Sequence, residues 1–250
     1  MSQQGKYIYG VIEEPQPRKF NFPGIGEAEV YIINCQRLAA IVSDTELQEI
    51  DPTRKNVLAH TTVQDKLLKE YDFLPMGFGI IANSEDEVRS LLVKNYDSLI
   101  RELKRLAGKI EVELKVFWDQ EAITQQLQDG NREFARLKAK ISSTSSPLEV
   151  QNLLVEAGEL VERVAMSWKT KYAESAYNHL KKLSFDARMN NPVGVKNILN
   201  ASFLIDKSKE SEFQKEVYKL DAEYQGKVNF KYVGPLAPYN FVKLKLELVK

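Results

Sequence analysis

Cysteine and histidine are scarce in this chain. Its 250 residues include one cysteine, Cys35, and two histidines, His60 and His179. A single cysteine excludes an internal disulfide and a cysteine-rich zinc site. Two histidines that fall in different predicted domains argue against a metal centre and supply few bases for a hydrolytic triad. The composition therefore predicts no metal and no cofactor.

Excess charge and long hydrophobic runs are also absent. Thirty-five basic residues balance thirty-five acidic ones, and the isoelectric point is near 6.8. No global field attracts nucleic acid or an anionic membrane. No apolar run approaches the roughly 20 residues that span a bilayer, and the polar segment 1–6 differs from a signal peptide. With 43% hydrophobic residues, we expect a globular, cytoplasmic protein that binds neither nucleic acid nor a lipid membrane.

The first half of the chain alternates strand and helix signals. Two strand patterns on either side of 35–37 are close enough to form an antiparallel hairpin. Asp51 followed by Pro52 is typical of a helix start, and Ser84 with Glu87 forms a capping box for the next helix. The predicted elements are strands 7–12, 29–34 and 38–43, a helix from 52 to about 71, a strand at 74–82, a helix from 84 to about 108 and a strand at 109–118.

The second half predicts a longer helix and a different order of elements. Ser146, Pro147 and Glu149 mark the start of the longest helix, which reaches about residue 180. With the strand that ends at Trp118, the order is βαββαβ plus one further strand, which is ferredoxin-like. The predicted elements are a polar helical stretch at 120–141 interrupted at 129–130, the long helix, strands 183–189 and 196–205, a helix at 208–224, and strands 227–233 and 242–248.

These patterns predict an α+β protein of two domains. Composition shifts near residue 119, so we divide the chain there. Residues 1–118 form the predicted N-terminal α+β domain. Residues 119–250 form the predicted ferredoxin-like C-terminal domain, with its long helix and extra strand.

The candidate catalytic side chains are few and isolated. His60 falls on the apolar side of its helix, and a lone histidine there favours a packed structural role over a site. His179 lies near a helix end, where a cation complements the helix dipole. Cys35 has no neighbouring cation in sequence that would activate its thiol. An enzyme of unrecognised type would need His60 or Cys35, and a non-enzymatic protein is the preferred hypothesis.

The glycine-rich segment 75–79 invites a phosphate-loop interpretation, because glycine N–H groups approach anions closely at helix starts. No Lys followed by Ser or Thr is present, and the acidic first turn of the next helix would repel a phosphate. A close-packed strand is therefore favoured. Glu111 and Glu113, a pair of carboxylates, are likewise expected on the solvated face of their strand.

A second proline motif, 234–242, is the most informative part of the chain. Gly234, Pro235 and Pro238 fix a tight approach into a predicted strand, in which apolar and charged residues alternate from Val242 onward. This use of glycine and proline indicates an architectural role.

Taken in order, the motifs of this chain resemble those of the gas vesicle protein F/L family. The resemblance covers nearly the whole chain and is weakest from about 124 to 180. Its motifs are YIYGV (7–11), GIG (24–26), LAAIVS (38–43), the helix that carries His60, LPMGFG (74–79), GKIE (108–111) and GPLAPYNFV (234–242).

The resemblance implies a minor component or assembly factor of gas vesicles that binds the major gas vesicle shell protein and contributes to vesicle formation and buoyancy. It implies location in the vesicle, including its gas-facing shell surface, and other gas vesicle proteins as further partners. A regulatory small-molecule-binding protein with a ferredoxin-like domain is the alternative. The residues of the two proline motifs that we assign to partner contact are Pro75, Met76, Phe78, Pro235, Pro238, Tyr239 and Phe241.

Overall fold

The structure is a computed structural model that describes residues 4–46 and 48–247. Its first sheet is built around β1 (Gly5–Glu13), whose six central residues are all buried. A strand buried on both faces needs a covering layer on each side. The other strands of this sheet are β2 (Lys19–Pro23), β3 (Glu29–Cys35), β4 (Leu38–Thr45), β5 (Leu74–Pro75) and β6 (Ile81–Ala82).

The strand order of this sheet is β2-β3-β4-β1-β5, and β6 also pairs with β1. The predicted hairpin is confirmed, because β3 and β4 pair antiparallel from Cys35 with Leu38 to Val30 with Ser43. Strand β2 was not predicted from the sequence, because its five residues include two phenylalanines separated by one residue but no longer alternation.

Three helices follow in the first half: α1 (Arg54–Glu70), α2 (Glu85–Lys94) and α3 (Tyr96–Leu106). The predicted start of the first helix was wrong by two residues. Thr53, not Asp51, is the N-cap, and its side chain accepts the Asn56 N–H. The predicted capping interaction at Ser84 is confirmed by its acceptance of the Glu87 N–H at 3.1 Å.

The single helix predicted between 84 and 108 is broken at Asn95. This residue has φ −106° and ψ 12°, outside the helical region. Its side chain is buried and donates to the Leu91 carbonyl at 2.9 Å, in addition to the main-chain N–H of Asn95, which donates to the same carbonyl at 3.2 Å. The apolar periodicity runs through the break, so the sequence pattern did not reveal it.

The strand predicted at 74–82 is two short strands, β5 and β6, joined by a turn. Gly79 lies in this turn with φ +87°, a conformation that interrupts an extended strand. The Met76 N–H still donates to the Tyr9 carbonyl at 3.0 Å, so the close packing against β1 extends beyond Pro75.

The second sheet has the order β10-β7-β9-β8. Its strands are β7 (Lys109–Trp118), β8 (Asp186–Asn190), β9 (Asn197–Asp206) and β10 (Val228–Leu236). Its helices are α4 (Gln120–Gly130), α5 (Arg132–Ser143), α6 (Pro147–Trp168), α7 (Ser175–Lys181) and α8 (Glu210–Glu223), with a π-helical turn, Lys169–Glu174, between α6 and α7.

The predicted start of the longest helix is confirmed. Ser146 is the N-cap, Pro147 is the first helical residue, and the Ser146 hydroxyl accepts the Glu149 N–H. The core of this part of the chain lies between β9 and its helices, where the Phe203 ring contacts the rings of Tyr177 and Phe213 at 5.6 and 5.4 Å.

The final strand predicted at 242–248 is wrong for its described part. Residues 242–247 have no regular secondary structure and pair with no described strand, and Leu248 lies outside the described residues. The predicted alternation is present, with Val242, Leu244 and Leu246 half-buried. Side chains rather than a neighbouring strand bind the backbone here.

The chain divides into two compact units. Residues up to Glu111 and residues from Pro235 onward form the first unit, and Val112–Gly234 form the second. The predicted boundary at 118 falls seven residues after this division, and the segment from Pro235 belongs to the first unit. Among the described residues, no helix is both long and apolar enough to cross a membrane.

Candidate functional site

His60 is the centre of a buried polar group in the first unit. Helix α1 places it against β1, where it is 2% exposed. Its Nδ1 atom is 2.9 Å from the Tyr7 hydroxyl, and its Nε2 atom is 2.9 Å from the Tyr239 hydroxyl. The Tyr9 ring stacks on the imidazole at 5.7 Å. Gln64, one helical turn further on, completes what we call the His60 cluster: Tyr7, Tyr9, His60, Gln64 and Tyr239.

Hydrogen bonding assigns the proton of the imidazole. The Tyr7 hydroxyl accepts the Gly79 N–H at 3.0 Å, so its own proton is available for Nδ1 of His60. The Tyr239 hydroxyl donates to Gln64 Oε1 and therefore accepts from Nε2. Each phenol has one proton to donate, so His60 is neutral with its proton on Nε2.

Burial reinforces this protonation state. Desolvation lowers the pKa of His60 to about 4, because burial penalises the charged imidazolium. The same cause raises the pKa of Tyr7 to about 12 and raises that of Tyr239. The cluster is therefore uncharged at neutral pH, and both ring nitrogens of His60 are occupied by hydroxyl groups of the protein.

Gln64 joins the two proline motifs to β1. Its amide nitrogen donates to the carbonyl oxygens of Tyr9 and Met76 at 2.7 and 3.1 Å, while its amide oxygen accepts from Tyr239. The Tyr239 hydroxyl also lies 3.2 Å from the Met76 carbonyl. The motif at 74–79 and the motif at 234–242, which are about 160 residues apart, thus meet beside α1.

The C-terminal segment, defined here as 237–247, is held along the first unit by two buried carboxylates and by the half-buried Arg105. Glu111 is 1% exposed and accepts the Asn240 N–H at 2.9 Å. Glu102 accepts the Lys243 N–H at 2.7 Å, and Arg105 donates to both Glu102 and the main chain of the segment. The hydrogen bonds from Arg105 lower the pKa of Glu102.

Asn95 binds the end of the same segment. Its side-chain oxygen accepts the Glu247 N–H at 2.9 Å, and its amide nitrogen donates to the Glu247 carbonyl at 3.1 Å. One side-chain amide thus replaces both hydrogen bonds of a strand neighbour. The main chain of Glu247 is thus hydrogen-bonded although 242–247 belongs to no sheet.

The predicted solvated position of Glu111 was wrong. The C-terminal segment covers this end of β7, and Asn240 donates to both carboxylate oxygens of Glu111. Glu113, two residues along the same strand, is half-buried and lies 3.3 Å from Lys115.

The structure brings together parts of both predicted contact motifs. Tyr239 contacts His60, and Phe78 lies edge-on to the His60 ring at 5.7 Å. Their assignment to partner contact stays a prediction. By exposure, the seven residues divide into buried Pro75, Met76, Pro238 and Phe241, half-buried Phe78, and exposed Pro235 and Tyr239, of which Tyr239 is 40% exposed.

Sequence reasoning missed the buried polar residues that organise this unit. Asn95 and Glu102 each occupy a position of the apolar stripe that continues through Leu99 and Leu103, and a polar residue in such a stripe indicates a buried hydrogen bond. Glu111 has no comparable signal, because it alternates with apolar residues as a solvated residue would. Within the described residues, no group of three His, Cys, Asp or Glu side chains is placed to hold a metal ion.

Comparison with known proteins supplies the family. A profile described as "Gas vesicle synthesis protein GvpL/GvpF" matches residues 5–243. The chain is similar to gas vesicle protein F of Nostoc sp., with 26% identity over 96% of this chain and 98% of the relative. It is also similar to gas vesicle protein F of Streptomyces sp., with 28% identity over 95% and 99% of the two chains.

Solved structures have the same fold. The crystal structure of GvpF from Anabaena sp. superposes with a TM-score of 0.78 and 25% identity, covering 97% of this chain and 99% of that one. GvpF from Microcystis aeruginosa superposes with a TM-score of 0.74 over 96% and 99%. These matches agree with a mixed α and β fold built on antiparallel sheets. The profile spans nearly the whole chain, and this protein therefore belongs to the gas vesicle GvpL/GvpF family.

Proposed function

We propose that this chain is a non-enzymatic minor component or assembly factor of gas vesicles that binds the major shell protein. The family gives the gas vesicle role, and the names of its relatives state no enzymatic activity. The observation that carries the non-enzymatic part is the His60 cluster. A general base needs a ring nitrogen within reach of a substrate proton, whereas both ring nitrogens of His60 bind tyrosine hydroxyls.

Binding to the shell protein is supported by the kind of surface that the chain offers. A protein that engages a strongly apolar shell needs apolar or strand-edge contacts rather than a reactive cleft. Several large apolar side chains are exposed on the second unit, among them Leu148, Phe185 and Val195 at 69, 67 and 91%. Such residues are typical of interaction surfaces when they are grouped.

Co-purification tests this proposal. The tagged full chain is co-expressed with the major shell protein and recovered at low and high salt, with a tagged unrelated protein of similar size as the control. We expect shell protein to be retained at both salt concentrations, because apolar contacts are not screened. Recovery no greater than that of the control would contradict the proposal.

A second experiment separates binding from catalysis. His60→Gln keeps a neutral hydrogen-bonding side chain at this position but removes the imidazole. If the protein is not an enzyme, a folded His60→Gln variant should support vesicle formation as the native chain does. Loss of vesicles with an unchanged fold and unchanged shell binding would instead indicate catalysis at His60.

The place of action is part of the same proposal. The chain acts on the finished shell, including its gas-facing surface, or while shell subunits are delivered, and so contributes to buoyancy. Detecting it in purified vesicles before and after a denaturant wash distinguishes these sites of action. Retention after washing supports a resident component, and loss supports a factor that leaves.

We also propose that the second unit is a ferredoxin-like module. Its elements follow the order β7, helices, β8, β9, α8 and β10, which is the split βαβ arrangement. The sheet order β10-β7-β9-β8 supports this assignment, because the first and third strands are central and adjacent.

A further inference from the structure

A cavity of the second unit lies between helix α6 and the loop 191–196 that leads into β9. Its volume is about 500 Å³, within the usual range for small-molecule pockets. Gly158, Ala165 and Met166 of α6 line one side of the cavity, and Pro192 and Val195 of the loop line another. Most of its lining is therefore apolar.

Trp118, the last residue of β7, forms a third wall of this cavity. Its main-chain N–H donates to the Lys196 carbonyl at 3.0 Å, and its indole Nε1–H donates to the Val195 carbonyl at 3.1 Å. These two hydrogen bonds hold the loop against the end of β7. The cavity is thus bounded by elements that are fixed to one another.

Asn197, the first residue of β9, places an unpaired polar group in the lining. The residue is 8% exposed and lines the cavity. Its Oδ1 atom is shielded from solvent and accepts no hydrogen bond from any described residue. Buried acceptors without a donor are rare in folded proteins, because they cost free energy. The χ2 torsion of asparagine is broad, so the amide can turn its oxygen towards a donor that enters the cavity.

Gly158 is a second residue that the local structure does not require. It lies in the interior of α6, where glycine destabilises a helix relative to alanine. Its backbone is not left-handed, and a Cβ atom at this position would meet nothing within 4 Å, so neither conformation nor close packing calls for glycine. A larger side chain would project into the cavity that Gly158 lines. Departures from local rules without a structural gain are typical of functional sites.

We infer that this cavity binds a small, uncharged molecule with an apolar body and one hydroxyl or N–H group. The apolar walls contact the body, and the Asn197 oxygen accepts the single donor. The two charged residues of the lining, Glu162 and Lys169, have opposite signs, so the site carries no net charge that would select an ion. This inference goes beyond the proposed function and does not depend on binding of the shell protein.

The depth of the acceptor argues against a partner protein as the occupant. A partner surface laid over the cavity would contact the exposed side chains of Met166 and Val195, which are 56 and 91% exposed. It would leave the buried Asn197 without a donor. A molecule small enough to enter the cavity contacts the apolar walls and also pairs with the acceptor.

The first test compares naphthol with its methyl ether, which has the same apolar body but no hydrogen-bond donor. Equilibrium dialysis with the full chain at neutral pH measures the dissociation constant of each probe. We expect saturable binding, with naphthol bound about tenfold more tightly than the ether, because only its hydroxyl pairs with Asn197. Absence of saturable binding, or equal affinity for the two probes, overturns the inference.

Asn197→Leu tests the acceptor. Leucine has a similar size but lacks the amide oxygen, so we expect the preference for naphthol over the ether to disappear while the ether binds as it does to the native chain. The variant also removes an unpaired acceptor, and thermal unfolding should occur at the same temperature or higher. A preference for naphthol that persists in this variant would contradict the role of Asn197.

Gly158→Leu tests the cavity and does not rely on Asn197. The substitution favours the helix and fills the space, so we expect a folded variant that binds both probes at least about tenfold more weakly. Glu156→Leu is the matched control, since it introduces the same side chain at an exposed position of α6 that does not line the cavity. It should bind both probes as the native chain does. Unchanged binding to Gly158→Leu would place the probes elsewhere and overturn the inference.

Co-purification of shell protein with the same variants distinguishes a partner from a small molecule. If the native chain binds no naphthol and Gly158→Leu, but not Glu156→Leu, loses shell protein, the cavity is a contact for the partner and this inference is overturned. If the native chain retains no shell protein but binds naphthol through Asn197, the proposed function fails and this site stands.

Discussion

At the scale of single residues, the first unit depends on polar side chains that the solvent does not reach. Such a group stabilises a fold only when all of its hydrogen bonds are made, because an unpaired buried donor or acceptor costs about 1–3 kcal/mol. His60 satisfies this condition through two tyrosines, one from β1 and one from the C-terminal segment. These two hydrogen bonds tie β1 and the C-terminal segment to α1.

Replacing His60 should reveal this dependence. We expect His60→Ala to lower the free energy of unfolding by about 2–4 kcal/mol, because it leaves a cavity and two hydroxyl groups without their partner. His179→Ala is the control, since the His179 side chain is 47% exposed and its contact with Glu216 should contribute less than about 1 kcal/mol. Urea denaturation measures both, and equal losses would contradict the prediction.

Acid should weaken the protein through the same residue. The unfolded chain protonates His60 near its ordinary pKa of 6.5, whereas burial delays protonation of the folded chain to about 4. Stability from neutral His60 is thus fully present above pH 6.5 and is lost as the pH falls towards 4. The difference between the two pKa values corresponds to a loss of roughly 3 kcal/mol in the free energy of unfolding.

The comparison of the native chain with His60→Gln isolates this effect. Carboxylates titrate in both proteins, so their contribution cancels in the difference between the two unfolding free energies. We expect that difference to shrink between pH 6.5 and 4. A constant difference across this range would show that His60 does not titrate as described.

At the scale of helices and strands, local signals predicted most elements, and long-range contacts decided the exceptions. Ser146, Pro147 and Glu149 lie within four consecutive residues and predict a helix start at Pro147, which is where α6 begins. The break at Asn95 and the absence of a final strand depend on each other, because the Asn95 amide binds Glu247, which is 152 residues away. No local pattern contains that information.

The same reason explains how much of the site was predictable. The sequence pattern predicts that His60 lies on the apolar side of its helix, and the proline and glycine content identifies both proline motifs. Their meeting depends on Gln64 and Tyr239, which are 175 residues apart, and was not foreseen. The spacing of residues in the sequence predicts which side chains are neighbours on one helix or strand. Contacts between elements that are distant in sequence become visible only in the folded unit.

Gly10 offers a prediction about strand β1. A Cβ atom at this position would lie 2.3 Å from the Phe73 ring and 2.6 Å from the Leu74 carbonyl oxygen. We expect Gly10→Ala to lower the free energy of unfolding by about 3 kcal/mol or more, because main chain as well as side chain must move.

Gly77→Ala is the matched control in the neighbouring proline motif. A Cβ atom there meets nothing within 4 Å, and the backbone does not need a left-handed conformation. We expect a change between zero and a gain of about 1 kcal/mol. Thermal unfolding of both variants distinguishes them, and a comparable loss in both would refute the close-packing explanation.

At the scale of the whole molecule, the first unit is built from two distant parts of the chain. Residues up to Glu111 form its sheet and three helices, and residues from Pro235 onward pack against them and complete the unit. The closing contacts are hydrogen bonds between the C-terminal segment and the side chains of His60, Asn95, Glu102 and Glu111, in which both carboxylates accept main-chain N–H groups of the segment. The unit is thus completed by residues that lie beyond the entire second unit in sequence.

Ending the chain after Gly234 should therefore affect the two units differently. Loss of the C-terminal segment leaves several buried polar groups of the first unit unpaired, at a total cost on the order of 5 kcal/mol, comparable to the stability of a domain. Hydrogen exchange should show loss of protection in β1 and retained protection in β9. Unchanged protection of β1 would contradict the assignment of the segment.

The division of the first unit also has a consequence for synthesis on the ribosome. After residue 111 leaves the ribosome, about 130 further residues must follow before Tyr239 can reach His60. At about 5–20 residues per second this takes roughly 7–25 s. During that interval His60 lacks its Tyr239 partner, and apolar surface of the nascent first unit stays exposed to solvent. We therefore expect chaperones to bind the nascent chain most strongly before translation ends.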